Sequence, residues 1–428
     1  MDIKEVLKLI KEKKISKGRK YYYYKPENTV KEENYYQDGK VYTNKIDKQE
    51  VYTNWVKVLI DQKIDYSLSK PLKFDKKIPK QFDIDNLITR NSHNASIDSV
   101  CWTQLIINDG KLDWILVQDK NVIGVYDKYN KYLIKVIKFW YEKINDKKIL
   151  FVQVWDTQNV IEYEIFEEKV ISKKTKSHYL QTLKYNDVEE EINPKGFGFI
   201  PFIPLYNNKN QTSDVDEILC LAEVYNQISS GFVKNVKKFE ELIYILKGYG
   251  SQDLEEFTEL LKKYNTIPVD EDGDFKHAEV KIPVEARQAL LQICKENMFV
   301  LGRGVDPTFN FTGKDITNVF IKSFYYPLDT KCSDMEKQIK YFYKQLLTMI
   351  GLYYKISFDN ELVFTRNQIF NISEQIDNCI KSMNLISIQT ILENHPWVTD
   401  VIEEQKRLNK EIDNYNKKQN DSRHGDLT

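Results

Sequence analysis

The sequence predicts an α+β fold, and three observations lead to it. Between residues 99 and 166, short runs rich in β-branched and aromatic residues are bounded by turn pairs such as Asp109-Gly110 and Asn145-Asp146, the pattern of antiparallel strands. At Asp214 the apolar period changes to steps of three and four: Val215, Ile218, Ala222, Tyr225, Ile228, Phe232, Val236, Phe239 and Ile243 form one helical stripe. Two further helical stretches, 285–301 and 319–353, follow a short insert of mixed character.

The chain opens on an amphipathic stretch, with Val6, Leu7 and Ile10 against Lys4, Lys8 and Lys11, and not on an apolar signal core. A helix over 54–66 carries Trp55, Val58 and Leu59 on one face and stops before Pro71, after which 72–74 is extended. Strands are expected at 99–107, 114–118, 132–141, 149–155 and 160–166, together an antiparallel meander. With Asp214 as N-cap and Glu217 as its capping-box partner, a single helix should run to about residue 242, roughly 40 Å at 1.5 Å per residue. Such a length is unusual for a domain of this size.

The insert 243–282 reads as a strand at 243–246, glycines 248 and 250, a helix over 254–264, and runs 266–269 and 275–282 around Asp272-Gly273, a hairpin signal. After Pro283 the helix 285–301 places Leu290, Leu291, Cys294 and Met298 on one side. Gly302 and Gly304 end it, and 305–318 is a polar loop holding Asp306-Pro307, Asn310, Gly313 and Lys314; Gly302, Gly304 and Gly313 are expected to leave it free to move. Pro327 inside the next helix, 319–353, predicts a bend. A returning strand at 356–364, helices at 373–383, 388–393 and 401–416, and a disordered polar tail at 417–428 complete the chain.

Lysine plus arginine (63) almost cancel aspartate plus glutamate (64), which argues against a protein that wraps duplex DNA by neutralising phosphates. No apolar run approaches the roughly 18 to 20 residues of a membrane helix. Five cysteines without a CxxC pair fit reduced core thiols of a cytoplasmic product. Abundant tyrosine (28) and phenylalanine (21) with sparse glycine (15) suit a protein that buries surface against neighbours.

Motifs for chemistry are weak. Asp270, Asp272, Gly273 and Glu279 match positions 3, 5, 6 and 12 of a calcium loop, but position 1 is Pro268, so a hairpin turn is the better reading. Gly196-Phe197-Gly198 and Gly302-Arg303-Gly304 do not complete a dinucleotide fingerprint, and Gly313-Lys314 lacks the glycine of a phosphate loop at Thr308. The five histidines are scattered. Asp61 and Asp65, at i and i+4, read as a solvated helix face or partners of nearby lysines, in preference to an acid/base pair. No cofactor and no metal is expected.

The order α/β domain, long helix, hairpin-bearing insert, return helix, polar loop, kinked helix and C-terminal helices resembles the portal proteins of tailed bacteriophages, and most those of siphophages infecting Gram-positive bacteria. The matching blocks are Asn54-Trp55-Val56-Lys57-Val58-Leu59-Ile60-Asp61-Gln62-Lys63, Gly198-Phe199-Ile200-Pro201-Phe202-Ile203-Pro204, Leu246-Lys247-Gly248-Tyr249-Gly250, Gly304-Val305-Asp306-Pro307 and Leu392-Glu393-Asn394-His395-Pro396-Trp397-Val398. The chain departs from the pattern at Tyr66 to Lys70, where a glycine is expected before the lysine.

The resemblance implies a non-enzymatic subunit. Its α/β wing would be 1–213 with a kinked helix and return strand at 319–367; its stem helices 214–242 and 283–303; its small α/β clip 243–282; its tunnel loop 304–318; and its α-helical crown 368–416. It further implies a ring of twelve copies at one capsid vertex, in the virion, with assembly in the host cytoplasm. Implied partners are double-stranded DNA held without sequence preference, the large terminase subunit that packages it, a head-to-tail adaptor, and the major capsid and scaffolding proteins; no membrane is involved. Asn310, Thr312 and Lys314 would face the DNA channel, Asp270, Asp272, Gly273 and Phe275 would form the docking clip, and Phe232, Val236 and Phe239 would pack the stem. The competing readings are a metal-dependent DNA-processing enzyme of a phage, which needs clustered carboxylates or histidines, and another ring protein of the head-to-tail connector.

Overall fold

The computed structural model describes residues 2–24, 29–37, 40–48, 51–74, 78, 82–108, 110–185, 188–239, 243–247, 274–278, 283–309, 317–358, 361–367, 371–398 and 400–425; for 29–48, 180–194, 236–247, 274–278 and 415–425 this covers the backbone. Mixed helix and strand are present, as the α+β expectation requires.

Helices α1 (Ile3–Glu12) and α2 (Gly18–Tyr22) lead into a ribbon of β1 (Thr29–Gln37) and β2 (Lys40–Lys48). Helix α3 (Trp55–Leu68) starts where expected because the Asn54 side chain accepts a hydrogen bond from Lys57 N. Its buried stripe is Val56, Leu59, Ile60, Lys63 and Ile64, whereas Val58, assigned above to the inner face, is exposed. Helix α4 (Ile84–Asp98) went unread. Its buried stripe has the right spacing, Ile84, Leu87, Ile88, Asn91, Ser92, Ala95 and Ser96, but the polar members hide it from a hydrophobic scan.

The expected single meander is divided between two sheets. Strands β3 (Val100–Asn108) and β4 (Lys111–Gln118) join β12 (Phe202–Tyr206) in the order β12-β3-β4. Strands β5 (Val122–Tyr126), β6 (Leu133–Ile144), β7 (Lys147–Trp155), β8 (Asn159–Phe166) and β9 (Lys169–Ser177) form the meander proper, antiparallel throughout. The β6–β7 turn has both Asn145 and Asp146 at positive φ, as a two-residue hairpin requires. The β8–β9 turn does the same with Glu167 and Glu168, residues that do not announce such a turn. Helix α1 covers one face of this sheet: Val6 is buried among Ile137, Val152 and Ile165. Strands β10 (Tyr179–Tyr185) and β11 (Val188–Lys195) form a separate hairpin.

Helix α5 (Leu219–Phe239) begins four residues later than the capping-box reading placed it, after a turn at 214–218, and spans about 31 Å. Asp214 is not its cap, because its carboxylate is spent on buried lysines described below. Strand β13 (Ile243–Lys247) pairs antiparallel with β14 (Asp274–Ala278), a partner the hairpin reading did not name; the Asp272-Gly273 turn and the run 266–269 lie outside the described residues. Helix α6 (Val284–Leu301) buries Cys294, Met298 and Phe299, but Leu290 is exposed.

Helix α7 (Asn318–Tyr354) contains Pro327, which divides its environment. Its buried residues start at Leu328 and recur as Cys332, Met335, Ile339, Phe342, Leu346 and Ile350, whereas Val319 and Tyr326 are exposed. From Met335 onward this stripe packs with α3, α4 and the β12-β3-β4 sheet into the main core, whereas Leu328 and Cys332 pack with Tyr66 and Val305 in a separate cluster. Among the described residues the returning strand at 356–364 reduces to one bridge, Val363 with Lys73, although Leu362 is buried. Helices α8 (Ile372–Lys381), α9 (Ile388–Asn394) and α10 (Val401–Gly425) follow. The tail expected to be disordered is helical up to Gly425, consistent with the good helix propensity of its lysine, glutamine and arginine residues.

Candidate functional site: the junction that roots the 304–318 loop

The structure brings some expected site residues into view and not others. Asn310, Thr312 and Lys314, and Asp270, Asp272 and Gly273, lie outside the described residues. Phe275 lies in β14 opposite Leu246. Phe232 is half-buried on α5 with the Arg287 guanidinium of α6 5.7 Å from its ring centre, and Val236 and Phe239 continue the same helix. What the structure describes in most detail is how the 304–318 loop is rooted at both ends.

At the near end Gly302 closes α6 with an ordinary right-handed backbone, and the left-handed position belongs to Arg303 (φ 52°). The two glycines therefore serve close approach and not mobility, contrary to expectation. A Cβ on Gly302 would lie 2.7 Å from Met298 O, and one on Gly304 2.2 Å from Leu59 Cδ2. With α3 this close, Gln62 Nε2 donates to Val305 O and its Oε1 accepts from Val305 N, both at 2.8 Å. Lys295 pairs with Asp306 at 2.9 Å while lying 5.6 Å from the Trp55 ring centre. Burial would raise the Asp306 carboxyl, but Lys295 and the Thr308 N–H hold it below its ordinary value. The Phe309 ring then rests 4.8 Å from that of Phe324 on α7.

At the far end Thr317 caps α7 by accepting from Phe320 N. Asn318 and Asn371 exchange hydrogen bonds, Asn371 N to Asn318 Oδ1 at 2.7 Å and Asn318 Nδ2 to Asn371 O at 3.2 Å. Asn318 N also donates to Glu374 on α8 at 2.5 Å. The loop thus ends where the C-terminal helices begin.

Beneath the near root lies a buried charge network that sequence reasoning missed. Lys63 Nζ donates to Asp214 Oδ2 and to Asn207 Oδ1, each at 2.6 Å. Lys331 Nζ lies 3.5 Å from Asp214 Oδ1 and donates to the Gly302 carbonyl at 2.8 Å. Asn207 Nδ2 donates to Asp214 Oδ1 at 2.9 Å. Burial works to raise the Asp214 carboxyl, but Lys331 and Lys63 outweigh it and bring it down to about 2. Burial lowers the Lys63 ammonium against the pull of Asp214, as fits a pocket with two cations and one carboxylate. The available signal was a lysine at a stripe position of each apolar helix face, Lys63 on α3 and Lys331 on α7.

Nearby, Asp61 accepts from Tyr22 OH at 2.5 Å, and His93 Nε2 lies 2.8 Å from that hydroxyl. Among the described residues Asp61 is therefore partnered by Tyr22 and His93 and not by a lysine, whereas Asp65 is exposed, as a solvated face requires. Among the described residues no group of three or more His, Cys, Asp or Glu side chains could hold a metal ion. No helix among them is long and apolar enough to cross a membrane. The Cys101 and Cys332 thiols are pushed up to about 12 by burial, which keeps them protonated and unreactive. The arrangement is a mechanical one: five chain segments, from α3, the turn before α5, α6, α7 and α8, are tied around one loop.

Comparison with known proteins gives the family to which the chain belongs. A family model described as phage portal protein, SPP1 Gp6-like, matches residues 10–418. The chain is 26% identical over 388 residues to the portal protein of Clostridium phage phiCD119, covering 82% of each chain. It is 25% identical over 396 residues to the portal protein of Bacillus phage SPP1, covering 84% of this chain and 76% of that one. The chain belongs to the SPP1 Gp6-like family of phage portal proteins.

Proposed function

We propose that this portal protein acts as a closed ring, of twelve copies, at one capsid vertex, and that the 304–318 loop is the part of each copy that meets DNA. A role in DNA packaging follows from the family. The observation that carries the finer reading is the double rooting of the loop: Val305 to Phe309 are held on α3, α6 and α7, and Thr317 is held at the start of α7. Only the segment between these roots, with Asn310, Thr312 and Lys314, remains to be presented to the channel. Almost equal numbers of acidic and basic residues suit a conduit, because dense phosphate neutralisation would arrest a moving duplex.

In this reading α5 and α6 are the stem, the β13–β14 pair with Asp270, Asp272, Gly273 and Phe275 is the clip, and residues 368–416 are the crown. The large terminase subunit and the head-to-tail adaptor dock in turn at the clip, and major capsid and scaffolding proteins surround the wing. The subunit itself is structural, with ATP chemistry left to the terminase. Negative-stain imaging with light scattering of the purified protein tests the ring: closed rings of high mass are expected, and a strictly monomeric species over a wide range of concentration and salt would refute it. Deleting 269–280 should leave a folded subunit that fails to package DNA or join tails, and normal packaging by that variant would remove the clip assignment.

A further inference from the structure

Strands β1 and β2 form a sheet of their own. They pair over nine positions, from Thr29 opposite Lys48 to Gln37 opposite Lys40, and among the described residues the ribbon has no third strand. Nine residues make a ribbon of roughly 30 Å. A lone two-stranded ribbon is at best marginally stable in water, so it needs a surface to rest on. Its register sets Tyr35 opposite Tyr42 and Tyr36 opposite Val41 near the turn. Four lysines offset four carboxylates between residues 29 and 48. A neutral ribbon with aromatic residues at its tip suits a protein surface and not a phosphate backbone.

The chain on either side of this ribbon is anchored on α5. Val51 N donates to Ser230 Oγ at 3.0 Å, and that hydroxyl donates back to Val51 O at 3.2 Å. Thr53 N donates to Asn226 Oδ1 at 2.8 Å, and Tyr21 OH donates to the Glu223 carboxylate. The two sides are also joined to each other: Tyr52 OH donates to Tyr21 O at 3.0 Å, and the Tyr24 and Tyr52 rings lie 4.4 Å apart. Glu223, Asn226 and Ser230, at i, i+3 and i+7, thus give one face of α5 to the ribbon's root.

We infer that the β1–β2 ribbon is a bridging arm that packs on a second copy of this chain. The inference rests on the ring reading, which places another copy beside the arm's anchored root. An arm of roughly 30 Å is longer than the roughly 22 Å radius of gyration expected for a chain of this length, so the neighbouring copy lies within its reach. Among the described residues neither ribbon strand pairs with a further strand, so both edges are open to strand pairing, and tyrosine is a residue type that adds contact area at low entropic cost.

The test uses the full chain with Tyr36→benzoylphenylalanine, irradiated after its assembly state has been read by light scattering. A ladder of SDS-resistant dimers and higher species is expected, linked through residue 36. Replacing 29–48 with a short Gly-Ser linker should raise the concentration at which rings dissociate by about tenfold, a loss of one strong contact per subunit. Rings that form normally but yield only monomer-sized products on irradiation would overturn the arm and leave the ring reading standing. A protein that stays monomeric before irradiation would overturn both.

Discussion

Lys63 on α3 and Asp214 at the entry to α5 meet at 2.6 Å with their side chains 1% and 5% exposed, and Lys331 on α7 approaches the same carboxylate from the other side. One carboxylate therefore holds together α3, the turn that enters α5 and the long helix α7. A buried ion pair of this kind adds little net stability over an apolar core, but removing one partner is expensive, because the other charge stays behind without compensation.

Asp214→Ala should accordingly lower unfolding stability by about 3–5 kcal/mol, since two buried ammonium groups lose their counter-ion. Lys63→Met should cost less, as it leaves Asp214 paired with Lys331. Urea unfolding followed by tryptophan fluorescence compares them. Equal losses in the two variants would show that the excess of cations carries no weight.

The same carboxylate has a consequence for acid stability. Its folded value, about 2, lies below the ordinary 3.8, so the stability it adds is complete above pH 3.8 and is lost as the pH falls toward 2. Melting temperature should show no contribution from Asp214 titration between pH 7 and 5, and a decline below about pH 4 that Asp214→Asn lacks. Parallel acid profiles for the wild type and Asp214→Asn would contradict the assignment.

Gly304→Ala drives a methyl group against Leu59 Cδ2 and within 3.0 Å of Gln62 Oε1, so it should cost about 1–3 kcal/mol and loosen the Gln62–Val305 pair. Leu59→Ala opens the space, and the double variant should lose less than the sum of the two single changes. Hydrogen exchange at Val305 N reads the local effect directly.

Lys314→Glu should leave ring assembly intact while impairing packaging or retention of DNA, because it reverses the main charged contact proposed for the loop tip. A variant that packages and retains full-length DNA at the normal rate would remove Lys314 from the mechanism. Normal behaviour after deletion of 309–314 would remove the loop.

Much of the fold was legible. Helices α3, α5, α6 and α7 show through because apolar residues recur along them, and Asn54 and Pro283 mark two of their starts. Helix α4 was not legible, since Asn91, Ser92 and Ser96 occupy its buried stripe, and Ser96 and Asn91 find their partners Asn207 and Thr103 only in the fold. The β8–β9 turn was hidden for a similar reason. Glu167 and Glu168 adopt a backbone that their side chains do not favour, and the sheet on either side imposes it.

The sequence by itself determined the order of elements and, through it, the family, because local periodicity and short blocks survive without knowledge of contacts. The tertiary structure decided where the charges go. Asp214 followed by Glu217 reads locally as a helix cap, and only the approach of Lys63 and Lys331, 151 and 117 residues away in sequence, turns it into the centre of a buried network. Gly302 and Gly304 read locally as flexible points. The proximity of Leu59 makes them points where two helices meet too closely for a side chain, since a contact between segments far apart in the chain leaves no periodic trace in either.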